Sequence, residues 1–512
     1  QKREQNIQDV PIAITAFTGT QMEALGVTQS FDIAAFSPGV HISGNLAGQN
    51  TQFTIRGVTQ NDFTDIIEAP NAVYLDDGYI AVSQGQTFSV FDIERVEILK
   101  GPQGTLFGRN ATGGLVHYQS NKPSFDETSG YAKAEAGQFD SDADSVRTVF
   151  EAAIGGPISD SLAGRLAVKY SQHDGYLKNL YPDGVLPGPG MNPPGPGAGA
   201  DLGDDDTKAM RLSLAFQPSE DLSMNLSINY AKTEVATGPY QSKPTIGVFD
   251  TLGELVNVID VSPDETRFSI AADGSDFGGS PFDGSYPMLP PQALGFNGRP
   301  VPGGDFFGYI DPDGDDFTFS SDFAFEDHGF TESSGIQLRL DYYLENGIEF
   351  TSITDYKQFE KLLFIDVDSA PVNQTGNYAA VDADTFTQEF RLNGEGDGSR
   401  WVAGIYLLSI DNKSDNGLKA PGNSIVGPLD IGAIGNLETE SLSIFGQYEY
   451  DLSDNLTMIV GARLMEEEKE YEYSVGVQPS FSSMSIHGLG SNWFPGAGYF
   501  DDESSQTLWA GN

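Results

Sequence analysis

From about residue 129 the chain alternates hydrophobic and polar side chains with few breaks. In DLSMNLSINY, Leu222, Met224, Leu226, Ile228 and Tyr230 share one parity, and Ser223, Asn225, Ser227 and Asn229 the other. TKAMRLSLAF sets Met210, Leu212, Leu214 and Phe216 against Arg211 and Ser213. SLAGRLAVKY sets Leu162, Leu166, Val168 and Tyr170 against Arg165 and Lys169. Side chains on a strand point alternately to its two faces, so each segment predicts a strand with one apolar and one polar face. Eleven such segments begin near residues 129, 145, 161, 207, 221, 334, 347, 384, 400, 439 and 455. Most run to about ten residues or more, longer than the usual five or six of a soluble sheet. A tilted strand needs roughly 9–11 residues to cross a bilayer.

The connections sort by length. PISD (157–160), PSED (218–221), LENG (344–347), GEGDGS (394–399) and DLSDN (451–455) are short. The connections after the odd-numbered strands, at about 173–206, 232–333, 361–383 and 412–438, are long, except the one after the first strand, around DSDADS (140–145), which is short. Short turns on one rim and long loops on the other describe an outer-membrane barrel rather than a soluble sandwich or adhesin. Phe216, Tyr230, Tyr342, Phe350, Tyr448, Tyr450 and Tyr471 near strand ends suit an interfacial aromatic girdle.

Charge narrows the functions. The 512 residues carry 74 Asp and Glu against 27 Lys and Arg, a formal charge of −47. Such a field repels phosphate backbones and excludes nucleic acid as a partner. The chain is 38% hydrophobic, too much for acidic disorder. It has no cysteine, which removes disulfides, thiolate catalysis and thiolate metal sites. No apolar run approaches the roughly 18–20 residues of a membrane helix. The sequence opens at QKREQN; a signal peptide, if one is encoded, is expected upstream of it.

The first 125 residues differ in texture, mixing short helical and strand signals with glycine turns. QDVPIAITAFTGTQMEALGV, FTIRGV, VYLDDGY and DIERVEILKGPQGTLFGRNATGGLV resemble the plug domain of TonB-dependent outer-membrane receptors, and TQEFRL, SIFGQYEYDLSDNLTM and GARLMEEEKEY continue the resemblance into the strands. The resemblance implies an all-β transmembrane barrel of the 22-stranded type, with about 11 strands in this sequence, preceded by a mixed α/β plug. The expected division is a plug over 1–125 and the N-terminal half of a barrel over 126–512. A barrel of that width would leak without a plug. Asp76, Asp77 and Gly78 predict an Asp-Gly turn, and 92–100 a strand. Gly57, Gly101, Gly104, Gly108, Gly113 and Gly114, with Arg109 among them, complete the plug motifs; glycine permits positive φ and close backbone approach. No Gly-Lys-Ser/Thr follows, so they do not form a phosphate loop. The stretch 99–116 is expected to be buried toward the barrel.

In the family, arginines at the positions of Arg56 (IRG) and Arg95 (IER) pair with barrel glutamates and hold the plug; Glu389 and Glu449 are the candidates for that role within this chain. The resemblance further implies import of a scarce ligand, most commonly a ferric siderophore or other iron complex. The energy would come from a TonB–ExbB–ExbD complex engaging a TonB box upstream of residue 1. Oligosaccharide, cobalamin or aromatic compounds are the alternative cargoes, and a passive porin or adhesin the alternative class. Outer-membrane lipid is the expected surrounding. The end, DDESSQTLWAGN, reads as an extracellular loop.

Chemistry for an enzyme is not apparent. His41, His117, His173, His328 and His487 are scattered without ligand spacing, and no Gly-x-Ser-x-Gly elbow occurs. No tightly bound cofactor is expected. The candidate exception is calcium in the largest loop, at DPDGDDFTFSSD, where Asp311, Asp313, Asp315, Asp316 and Asp322 place hard oxygen ligands near calcium-loop spacing.

Overall fold

In the computed structural model, the structure describes residues 12–511 apart from 46–49, 61–64, 186–197, 237, 239, 242, 277–298, 300, 306–308, 312–316, 322–328, 346, 373, 421–428, 454 and 478–498. The N-terminal domain is built on β1 (Ala13–Thr18), β4 (Ala72–Leu75), β5 (Gly78–Tyr79), β6 (Ile93–Lys100) and β7 (Gly114–Ser120), ordered β1-β6-β7-β4-β5. A separate hairpin of β2 (Val40–Asn45) and β3 (Asn50–Ile55) and two short helices, α1 (Gly19–Ala24) and α2 (Gly104–Phe107), complete it. Thr18 starts α1 through a reciprocal capping box with Gln21. The alternation in IERVEILK buries Val96 and Ile98 against Met22, Ile33, Phe53, Val73, Val116 and Tyr118, the core of this domain.

A 12-stranded antiparallel sheet follows. It consists of β8 (Ser129–Gln138), β9 (Val146–Ser159), β10 (Leu162–His173), β12 (Asp205–Ser219), β13 (Leu222–Val235), β18 (Gly329–Tyr343), β19 (Glu349–Asp366), β20 (Gly376–Gly396), β21 (Ser399–Ala420), β22 (Leu429–Ser453), β23 (Leu456–Val477) and β24 (Tyr499–Gly511). Neighbours in space are neighbours in sequence, as hairpin connections dictate. β8 and β24 form its edges, so the barrel wall is open. β24 corrects the expectation of eleven strands and a terminal loop: residues 499–511 pair with β23 from Ala462 to Ser474.

Between β13 and β18 the chain forms a small sheet of β14 (Thr245–Phe249), β15 (Leu255–Asp260) and β16 (Ser269–Ala271). β11 (Lys178–Asn179), in the preceding long connection, pairs in parallel with β17 (Thr318–Phe319) and ties the two longest loops together. The five short turns fall where the sequence places them. The long connections at 361–383 and 412–438 do not, because β19 runs to Asp366, β20 begins at Gly376, β21 runs to Ala420 and β22 begins at Leu429. These strands run to 18–25 residues, about twice a bilayer crossing. Beyond the lipid both faces meet water, so the alternation that marks a strand fades while the ladder continues.

The outer face records where the lipid lies. Leu212, Ile228, Ile336, Tyr356, Phe386, Leu407, Leu442 and Leu464 point outward on eight successive strands. One or two outward positions further from the short turns, the sequence changes to Lys208, Lys232, Glu332, Glu360, Asp384, Asp411, Glu440 and Glu466. Phe216, Tyr342, Tyr448 and Tyr450 are exposed at the short-turn rim, as a girdle requires. Tyr471 is a correction: it has the parity of the lumen face and stacks on Tyr473 there.

Candidate functional site

The N-terminal domain lies against the inner face of the sheet, and the interface between them is the candidate site. An apolar cluster forms its floor. Tyr74, Tyr79, Leu99, Leu106 and Phe107 pack on Leu408, Ile410 and Phe445 of the wall. Phe107 and Leu106 come from α2, within the stretch 99–116, so the glycine-rich motif delivers two large side chains to the barrel. Full burial of one such side chain stabilises the docking by roughly 1.5–3 kcal/mol.

Around this floor the charges are paired in the opposite sense to that expected. Plug carboxylates meet wall cations. Asp92 takes both prongs of Arg165, at 2.7 and 2.5 Å. Asp77 meets Arg339 at 2.8 Å, Glu68 meets Lys469 at 3.3 Å, and Glu23 meets Lys133 at 2.9 Å. Asp65 holds Lys361, both side chains almost wholly excluded from solvent, while Asn412 donates to the Asp65 carbonyl at 3.1 Å. Arg211 donates to the Phe91 and Asp92 carbonyls and covers the Phe91 ring, 4.7 Å from its centre. Lys169 donates to the carbonyls of Thr28 and Val90, both at 3.1 Å. Arg109 reverses this sense: it holds Glu68 within the plug and reaches Glu467 of the wall at 3.3 Å.

The arginines singled out from the sequence sit elsewhere. Arg95 lies along its own strand and pairs with Glu94 at 2.6 Å and Glu97 at 2.8 Å. Acids one and two positions away in IERVE reach it before any wall residue can. Arg56 has φ of 51°, is exposed, and packs beside Gly101 and Lys100 with no carboxylate in ion-pair reach among the described residues. Glu389 and Glu449 do face the lumen and are buried. Glu389 meets Arg391 at 3.2 Å, and Glu449 meets Arg400 at 3.5 Å and accepts from Gln447. Both of these ion pairs lie within the wall.

The turn at 76–78 is built as the sequence suggests but with different roles. Asp76 and Asp77 carry the positive φ, 51° and 69°, of a tight hairpin turn. Gly78 lies close under the wall: a Cβ there would press on the ends of the Lys357, Gln337 and Asp355 side chains. Gly108 combines both demands, with φ of 80° and the Arg463 guanidinium against it. Gly57, Gly101 and Gly114 also have positive φ, Gly104 opens α2, and Gly113 lies against Asn71 and Val58. Burial alone would raise the Asp76 carboxyl, but Lys122, Arg211 and hydrogen bonds from Ser120 outweigh it and hold it at about 2. His117 is buried beneath the turn, and desolvation pushes its pKa down. Its Nε2 accepts from the Asp77 amide at 3.3 Å, which requires the neutral ring.

At the far end the long loops are knit together. Asn179 bridges them, donating to the carbonyls of Ala200 and Ser321 and accepting from the Tyr181 and Ser321 amides. Of the calcium candidates, Asp311 accepts from Gln241; Asp313, Asp315, Asp316 and Asp322 lie outside the described residues.

Two family models match the chain. The TonB-dependent receptor plug domain matches residues 6–115, and the TonB-dependent receptor-like β-barrel matches residues 260–507. The chain belongs to the TonB-dependent receptors. Among curated relatives, the pesticin receptor of Yersinia pestis is 29% identical over 258 residues, covering 49% of this chain and 33% of that protein. The ferripyoverdine receptor of Pseudomonas aeruginosa is 26% identical over 226 residues, 41% of this chain and 25% of that protein. The matches therefore span about a third of these relatives or less. The crystal structure of the ferric yersiniabactin uptake receptor from Yersinia pestis superposes with a TM-score of 0.63 at 17% identity, covering 98% of this chain and 61% of that one. The ferric-catecholate import receptor Fiu from E. coli K12 gives 0.59 at 15% identity, over 99% and 67%. These likenesses establish the fold, a plug inside a transmembrane barrel wall.

Proposed function

We propose that this chain serves TonB-dependent import of a ferric siderophore or another iron complex across the outer membrane of a Gram-negative bacterium, driven by a TonB–ExbB–ExbD complex. The observation that carries the reading is how the plug is seated. Buried ion pairs add little net stability compared with apolar packing of the same shape, but losing one partner is costly. The pairs therefore fix one seating without making it the tightest one available. That suits a plug that must seal the lumen and also move, and it speaks against a passive porin. Curated relatives named for ferripyoverdine and ferrioxamine B support an iron complex as cargo. The acidity of the chain favours ligands whose anionic groups are neutralised by a bound cation. In the parent organism, deleting the gene should abolish uptake of 55Fe supplied as ferric complexes from the strain's own iron-starved medium, and deleting tonB should do the same. Unchanged iron uptake, with loss of cobalamin or oligosaccharide uptake instead, would replace the cargo.

A further inference from the structure

Six long lumen-facing side chains reach the plug: Arg165, Lys169, Arg211, Arg339, Lys361 and Arg463. Part of β13 and β18 faces the plug with short side chains instead. Ser227, Ala231, Ser333 and Gly335 are small, and a cavity opens between them and the plug residues Leu75, Ile80 and Phe88. Toward the short turns stands the Asp77–Arg339 pair; to the side, level with Ser333, Val82 packs on Phe359, Val381 and Ala383. The plug side is mainly apolar, with Asp76 at its edge, whereas the wall side offers the serine hydroxyls, Asn229 and Gln337 together with the charged Arg211, Asp355 and Lys357. The buried Ser89 hydroxyl on the plug side has no hydrogen-bond partner.

We infer that this seam, between the plug and β13–β18, is where the plug parts from the wall, and that the imported ligand passes through it. The inference rests on the import reading above and adds a route and a ligand chemistry. At this level plug and wall already stand apart, and one plug–wall ion pair, Asp77–Arg339, joins them on the short-turn side. The passage suits a ligand with a flat apolar portion, such as an aryl ring, lying on Ile80 and Phe88, and hydrogen-bonding groups turned to the serine wall.

The test uses the full-length receptor in its own membrane. Asp77→Asn with Arg339→Gln unlocks the periplasmic end of the seam and should make cells at least fourfold more susceptible to vancomycin. Adding Ser333→Trp, or Ala231→Phe as a second filling variant, should return susceptibility to within twofold of wild type. Whichever filling variant is displayed at the wild-type level is the one read. The matched pair Asp92→Asn, Arg165→Gln lies across β10, and filling the cavity should not suppress any leak it causes. Alone, the filling variant should cut 55Fe uptake at least tenfold at unchanged surface display. No leak from the Asp77, Arg339 variant, a leak that filling does not suppress, or full uptake through the filled seam would each overturn the route. If wild-type cells take up no iron, the cargo reading fails, while the vancomycin arm still decides the seam.

Discussion

Asp92 of the plug and Arg165 of the wall form a two-pronged ion pair with almost no solvent contact. Asn121 donates to the same carboxylate at 2.9 Å, and Arg211 donates to the carbonyls of Phe91 and Asp92. Two wall arginines thus converge on one plug corner.

Removing one partner should expose the cost of an unpaired buried charge. Arg165→Ala is expected to destabilise plug docking by about 3–5 kcal/mol, read as a lower thermal transition of the plug in the solubilised full-length receptor. Arg165→Gln combined with Asp92→Asn should recover most of it, because both charges are gone and Asn tolerates the φ of 49° at this position. A double variant as unstable as the single one would show that the pair is not what the wall arginine supplies.

Acidification should loosen the plug in two steps. His117 is neutral in the folded state with a lowered pKa, so its contribution is complete above about pH 6.5 and falls as the unfolded chain gains a proton below that. Asp76 is held at about 2, so its contribution persists above about pH 4 and is lost as pH falls toward 2. Melting curves from pH 7.5 to 3 should show the first decline in wild type and not in His117→Gln. An identical slope in both proteins would assign the decline to other groups.

The Gly78 contact predicts a steric effect graded by size. Gly78→Ala should cost about 1 kcal/mol as Lys357 and Gln337 yield, and Gly78→Leu should unseat the turn. Protease sensitivity of the plug in otherwise folded receptor reads this directly, and equal protection in both variants would refute it.

Asn179 predicts a loop effect separable from the barrel. Asn179→Leu leaves buried carbonyls of two loops without donors and, on the proposed import function, should weaken ligand capture about tenfold. The melting of the strands should not change. Parallel loss of barrel stability would mean that the loops support the wall and not the ligand.

The strands were legible because lipid on one side and a lumen on the other impose period two, and the plug because its motifs are local. What escaped depends on contacts between distant segments or on polar stretches. β24 carries Asp501, Asp502 and Glu503 followed by two serines, which hides its pairing. Lys361, in FEKLLF, gives no local sign that it will meet Asp65, nearly 300 positions earlier. Arg95 pairs along its own strand, with acids that stand in the same motif at 94 and 97. The one signal available for the wall cations was scarcity: in a chain with 27 basic residues, Arg165, Lys169 and Arg211 all occupy the lumen parity.

The step from apolar to charged side chains on the outer face has a mechanical consequence. A load that draws the plug toward the periplasm also draws on the wall through the ion pairs between them. Sinking the wall by two residues would carry Glu332, Glu360, Asp384, Asp411, Glu440 and Glu466 into hydrocarbon together, a penalty that grows with each strand. The row of carboxylates is thus a depth stop. It lets tension spend itself on unseating the plug while the barrel keeps its level in the bilayer.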